Sequence, residues 1–126
     1  MNLDEIINKM LELTKYMQDM LLLDIEDIKK AKHENLLERN EKKEDTIVEI
    51  TNLKSELNEK LVESMQNGED INIYRKKVDN LEEELKNLYT LNKQLASIVL
   101  PVQQMYKDIV DEIARENGGN ILDVKA

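Results

Sequence analysis

Apolar residues recur at helical spacing in three stretches of this chain. The first runs through Leu3, Ile6, Ile7, Met10, Leu13, Met17, Met20, Leu21, Ile25 and Ile28. The pattern then stops, and residues 38–46 offer nine consecutive positions without an apolar side chain. It resumes at Ile47, Ile50, Leu53, Leu57, Leu61 and Met65. The third stretch is the most regular. Tyr74, Val78, Leu81, Leu85, Leu88, Asn92, Leu95, Val99, Val102, Tyr106, Ile109 and Ile113 alternate in steps of four and three. That is heptad spacing with one polar member, Asn92, a residue that in such a slot sets register or oligomeric state.

These patterns predict helices near 3–31, 35–66 and 70–116, followed by a tail over 117–126. The clearest turn is Asn67-Gly68-Glu69-Asp70. Gly68 suits a left-handed helix end and Asp70 can cap the next helix. A weaker break is expected at Lys32–Glu34, and Gly118-Gly119 stops the last helix. Pro101 removes one hydrogen bond inside the third helix and is read as a tolerated kink. The predicted fold class is all-α: a long antiparallel helical hairpin or coiled coil with an additional N-terminal helix, in a single domain.

Folding the last two helices at Gly68 places residue i opposite about residue 137 − i. The charged spacer 38–46 then faces the least charged part of the molecule. Asn87–Tyr106 contains one charge, Lys93, and eleven apolar residues among its twenty. A surface helix keeps one apolar stripe and a charged opposite face; this segment is apolar over a wider arc. A second stripe of Leu91, Leu95, Ile98, Val102, Met105 and Ile109 runs beside the heptad positions. Two helices alone leave that face uncovered. Residues 3–31 either fold back over it or extend as an arm to a second subunit or a client. Met10, Met17 and Met20 incline the reading toward a loosely held, adaptable first helix.

Composition narrows the chemistry. With no Trp, no Phe, three Gly and one Pro, the chain has the makings of neither a β-sandwich nor an α/β fold. The net charge of −9 is spread over both halves, 16 acids against 10 bases in residues 1–66 and 11 against 8 in 67–126. Nucleic acid is therefore not an expected partner, and the small clusters Lys29, Lys30, Lys32 and Arg75, Lys76, Lys77 read as solvated faces. There is no cysteine, hence no disulfide or thiolate site. The N-terminus lacks a signal-peptide pattern and the longest apolar runs fall far short of the ~20 residues that span a bilayer. A cytoplasmic location without membrane insertion is the expectation. His33 is the only histidine and is read as an exposed or bend-forming residue. Glu82-Glu83-Glu84 is read as a solvated face. No phosphate loop or nucleophile motif occurs, so neither enzymatic activity nor a cofactor or metal is expected.

Two local stretches carry a resemblance. Ile25-Glu26-Asp27-Ile28-Lys29-Lys30-Ala31-Lys32-His33-Glu34, running into Leu36 and Lys42-Lys43-Glu44, resembles the first helix, short break and Lys/Glu-rich second helix of the FlgN-type flagellar export chaperones. Leu91-Asn92-Lys93-Gln94-Leu95, leading into Ile98, Val102 and Ile109, is similar to the Asn-x-x-Leu start of that family's C-terminal amphipathic helix. The layout matches along nearly the whole chain, in a divergent form similar to that of epsilon-class bacteria. The resemblance implies a cytoplasmic substrate chaperone of the type III flagellar export system. Such proteins bind C-terminal helices of the hook–filament junction proteins and keep them monomeric before export. By matching position, the implied client face is Leu91, Leu95, Ile98, Val102, Met105 and Ile109. The family tail often carries a Tyr closely followed by Gly, linked to docking at the export gate. Here the tail reads Asn120-Ile121-Leu122-Asp123-Val124-Lys125-Ala126, which lacks that pair.

The residue pattern alone supports the same mode of action, capture of an amphipathic helix through anchors at i, i+4 and i+7. Five or six aliphatic side chains at ~1.5–3 kcal/mol each, less ordering costs, suffice for micromolar binding. The competing reading is a structural coiled-coil homodimer or adaptor, with the wide face buried in a second copy. Charged flanking positions along 87–106 would favour that alternative, and the chain largely lacks them.

Overall fold

The computed structural model describes the backbone of residues 1–116, and the side chains of residues 1–99, Asp108, Asp111 and Glu112. Three helices and one short 3-10 turn account for nearly all of it: α1 (Leu3–Lys29), α2 (Leu36–Gln66), the 3-10 turn Ile71–Tyr74, and α3 (Arg75–Glu116). No strand occurs among the described residues. The fold is all-α, as the periodicity predicts. Tail residues 117–126 lie outside the described residues.

Local chemistry explains the boundaries. Asn2 caps α1 reciprocally, accepting from the Glu5 amide at 2.8 Å while its own amide donates to Glu5 Oε1 at 3.2 Å. At the far end of α2 the Glu69 amide donates to the Ser64 carbonyl (2.9 Å) and the Gly68 amide to that of Met65 (3.1 Å). That is a Schellman closure, with Gly68 at φ +76°. Asp70 then accepts from the Asn72 amide at 3.0 Å, opening the 3-10 turn. The α1 terminus closes the same way, Lys32 N–H to the Asp27 carbonyl (2.7 Å) and Ala31 N–H to that of Ile28 (3.1 Å). Here the left-handed position is filled by Ala31, at φ +56°. α3 continues through Pro101 without a break.

The helices are arranged around α1. It runs antiparallel to α2, with Lys60 donating to the Met1 carbonyl at one end and Arg39 and Lys43 bound to Asp24 at the other. It runs parallel to α3, with Asp4 paired to Lys77 (2.8 Å) and Gln18 donating to Glu84 (2.9 Å). Both long helices pack on α1 far more than on each other. The side chains buried most completely are all on this helix: Ile6, Ile7, Met10, Thr14, Leu21 and Asp24. The expectation of a loosely held N-terminal arm is thus corrected. Met10, Met17 and Met20 are buried core side chains, where unbranched thioethers fill the gap between two diverging helices.

Leu53 and Leu57 of α2 and Leu81 of α3 join Leu3, Ile6, Ile7, Met10 and Leu13 in one cluster near the Gly68 turn. Ile47 and Met65, expected in the α2 stripe, are instead about half exposed. They lie at the edge of a helix whose inward face is set by α1 rather than by α3. Glu84 is likewise half-buried rather than solvated, because Gln18 reaches it across the α1–α3 contact.

Candidate helix-binding groove

The spacer 38–46 has no apolar residue and yet belongs to a continuous helix packed on α1. Its inward positions follow helical spacing: Arg39, Lys43 and Thr46 are the less exposed members, the last fully buried. Opposite them stands Asp24, a carboxylate with 2% exposure in line with Met17, Leu21 and Ile28 of α1. Arg39 donates to Asp24 at 2.6 Å and to Asp27 at 2.7 Å, and Lys43 donates to the other Asp24 oxygen. Hydrogen bonding to Asp27, and then to Asp24, raises the Arg39 pKa above its ordinary value. No buried polar side-chain atom among the described residues lacks a partner. Two acids and two bases therefore replace the apolar stripe that this stretch lacks, and the ion cluster pins α2 to α1. A buried carboxylate is tolerated only with such partners. Outside the cluster, hydrogen bonding to Glu26 at 2.6 Å raises the Lys30 pKa.

Above this cluster α2 and α3 no longer touch closely. The expected register holds, since Asn40 and Lys43 share a cavity wall with Leu95 and Val99. Between them lies an apolar hollow of about 260 Å³. Asp24 and Ile28 supply its α1 side, His33 the turn, and Leu36 its far edge. His33 is exposed in the turn, as expected, and also borders the hollow. Past the hollow, two residues on the facing edges of α2 and α3 stay exposed. Tyr89 lies on the same line of α3 as Val78, which shares a pocket with Leu61 of α2, yet Tyr89 is 65% exposed. Ile47 lies on the Leu61 side of α2 and is 49% exposed. At the Gly68 end Leu53 and Leu57 of α2 and Leu81 of α3 meet over α1, while Leu61 and Val78 border a smaller pocket of about 220 Å³.

The client positions implied by resemblance divide into two sets. Leu91, Leu95 and Ile98 are half-buried in this region, and Leu95 lines the hollow. Val102, Met105 and Ile109 belong to α3, but their side chains lie outside the described residues. Asn92 is exposed rather than in a core slot, because α1 contacts α3 along a line displaced from the heptad positions. α3 extends 17 residues past Val99 to Glu116, about 25 Å at helical rise. Asp108, Asp111 and Glu112 on that extension are exposed.

Sequence reasoning did not find Ile28, Leu36 and Asn40 as groove residues, nor the ion cluster beneath them. One signal was present: Asp24 interrupts the α1 stripe where an apolar residue belongs, and Arg39 and Lys43 recur one turn apart in the apolar gap.

Among the described residues, no cluster of three or more His, Cys, Asp or Glu side chains is arranged to hold a metal ion. No helix among them is long and apolar enough to cross a membrane. No family model matches the chain, and no curated protein and no solved structure is significantly similar to it.

Proposed function

We propose that this chain is a substrate chaperone of the flagellar type III export system, acting in the cytoplasm on C-terminal helices of hook–filament junction proteins. The observation that carries the reading is the open groove between α2 and α3. Three fully formed helices leave Leu95 and Val99 lining an apolar hollow, with Leu91 and Ile98 half-buried on the same helix. A groove floored by one helix and walled by two others suits an amphipathic client helix. The resemblance to FlgN-type chaperones at Ile25–Glu34 and Leu91–Ile109 supplies the class of client. The cavity is built by those same two stretches, since Ile28 and His33 come from the first and Leu95 and Val99 from the second.

The test is binding of a junction protein by the native chain and by a variant with Ile98→Asp and Val102→Asp. Charge placed where a client must desolvate it is costly. Binding is expected to fall at least tenfold, while circular dichroism and thermal unfolding show a folded protein, because the core lies around α1. Unfolding of the variant would place this face in the core. Undiminished binding by a folded variant would move recognition elsewhere.

A homodimer reading is favoured by one specific observation, the α3 extension beyond the α1–α2 turn, whose sequence continues the heptad spacing to Ile113. A sedimentation measurement showing a concentration-independent dimer that excludes the junction protein would select it.

A further inference from the structure

The two halves of α2 are attached to the molecule by different forces, and the first half is the weaker. We propose that residues 36–49 form an ion-latched segment, which opens from α1 as one unit while the Gly68 half of the bundle stays folded. This behaviour belongs to the protein alone, whatever it binds.

From Leu37 to Glu49 every apolar side chain of α2 is exposed, namely Leu37, Ile47 and Val48. Residues 38–46 contain none at all. Leu36 is half-buried at the hollow, and the first apolar contact of α2 with the main core is made by Ile50, followed by Leu53 and Leu57. Thr46 is buried, but its hydroxyl donates to the Lys42 carbonyl of its own helix at 2.7 Å. Apolar burial is the dominant force that draws helices together, and this stretch has almost none of it.

Its attachment is instead polar and concentrated at one point. Asp24 accepts from Arg39 at 2.6 Å and from Lys43, and Arg39 also reaches Asp27 at 2.7 Å. The other ion pair of this stretch, Lys42 with Glu38 at 3.6 Å, is exposed and contributes little. The cost of taking charges out of water offsets much of their attraction, so such a cluster holds its segment less firmly than an apolar layer does. Arg39 and Lys43 share one carboxylate, and the residues that depend on it let go together.

The start of α2 adds no support. Asn35 stands at the N-cap but makes no side-chain capping bond, and its backbone is helical, φ −102° and ψ −2°, rather than extended. α1 by contrast carries the full reciprocal box at Asn2. A short helix detached from its packing is marginal in water, so a segment that leaves α1 also unwinds. Opening would dismantle one wall of the hollow, because Leu36, Asn40 and Lys43 are the side chains α2 contributes to its lining.

Hydrogen exchange at single amides of the full chain, in increasing urea below the unfolding transition, tests the latch. Amides 40–49 are expected to share one opening equilibrium, at least thirtyfold more favourable than that of amides 53–61. Its urea dependence should be weaker, because a local opening exposes less surface than global unfolding. Ile6→Val, in the half that stays folded, should speed exchange at 53–61 by roughly two- to tenfold and leave 40–49 within twofold. Asp24→Asn should speed both sets by the same factor, at least tenfold, since the cluster is lost in both openings. Asp27→Asn, which removes one Arg39 contact, should repeat that pattern with a smaller factor. Four results would overturn the proposal: uniform protection along α2, protection that declines residue by residue toward Leu36 as ordinary fraying does, equal responses of the two sets to Ile6→Val, or no response of 40–49 to either aspartate variant.

Discussion

The two ends of this bundle hold the same three helices by different means. Near the Gly68 turn, Leu53 and Leu57 of α2 and Leu81 of α3 close over Leu3, Ile6, Ile7 and Met10 of α1, and the apolar layers meet directly. Near the α1–α2 turn, α2 is fastened to α1 by Asp24, Asp27, Arg39 and Lys43. Packing is non-directional and draws all three helices together. Ion pairing joins only the partners that carry the charges, here α1 and α2. α3 has no part in the ion cluster, so it stands off and leaves the groove. The opening of one end follows from the chemistry of the other helices' attachment there.

The largest expected effect lies at the closed end. Ile6 has no exposure, and Ile6→Ala should cost ~2–5 kcal/mol in the usual range for buried aliphatic truncations, read by chemical denaturation. A loss below about 1 kcal/mol would show that α1 is not the centre of the core. At the ionic end, Asp24→Asn leaves Arg39 and Lys43 against a neutral amide. Breaking a buried pair costs ~3–5 kcal/mol; about 3 kcal/mol is expected, because both cations are long enough to reach solvent. The unfolding midpoint of Asp24→Asn against that of Asp27→Asn, which loses a more exposed single contact, measures how much of the cluster depends on Asp24.

Enlarging a side chain separates the ends most clearly. Leu81→Phe inserts volume into a closed layer and should destabilise by ~1–3 kcal/mol. Val99→Phe inserts it into the hollow and should leave stability within about 0.5 kcal/mol, the usual limit for sites without such crowding. Equal penalties would contradict the asymmetry. The smallest expected effects are at the turns. Gly68→Ala meets no atom within 4 Å of the added Cβ, so its penalty is backbone strain alone, about 1 kcal/mol. Ala31→Gly relieves the same strain and should stabilise by up to about 1 kcal/mol, less the greater freedom Gly gives the unfolded chain.

Those two turns show why the sequence was legible in one place and opaque in another. Both helix ends adopt the same closure. The second is written with Gly68, whose meaning is plain; the first places Ala31 in the left-handed position, and nothing in its type announces it. The helix boundaries, the Gly68 turn and the register of α2 against α3 could be read because they depend on spacing. The place of α1 could not. Its stripe is as periodic as the others, but periodicity does not say which helix the other two will share. Nor did the charged run 38–46 look like a packing surface, since its contribution exists only in combination with Asp24 on another helix. Of the client positions, Leu95 lines the hollow, where Ile28, Leu36 and Asn40 join it only through the tertiary fold; Leu91 and Ile98 are half-buried on α3 outside its lining.

The central claim is that the open half of the α2–α3 groove receives a helix. The chain has no cysteine, so a single Tyr89→Cys reports on that half without interference. Its thiol-labelling rate is to be measured with and without the C-terminal helix of a hook–filament junction protein, using Leu57→Cys in the closed half as the reference. Rapid labelling is expected in the free protein, slowed at least tenfold by saturating partner, with Leu57→Cys slow throughout. Labelling at Tyr89→Cys that is as slow as at Leu57→Cys in the free protein, or unchanged by the partner, would contradict it.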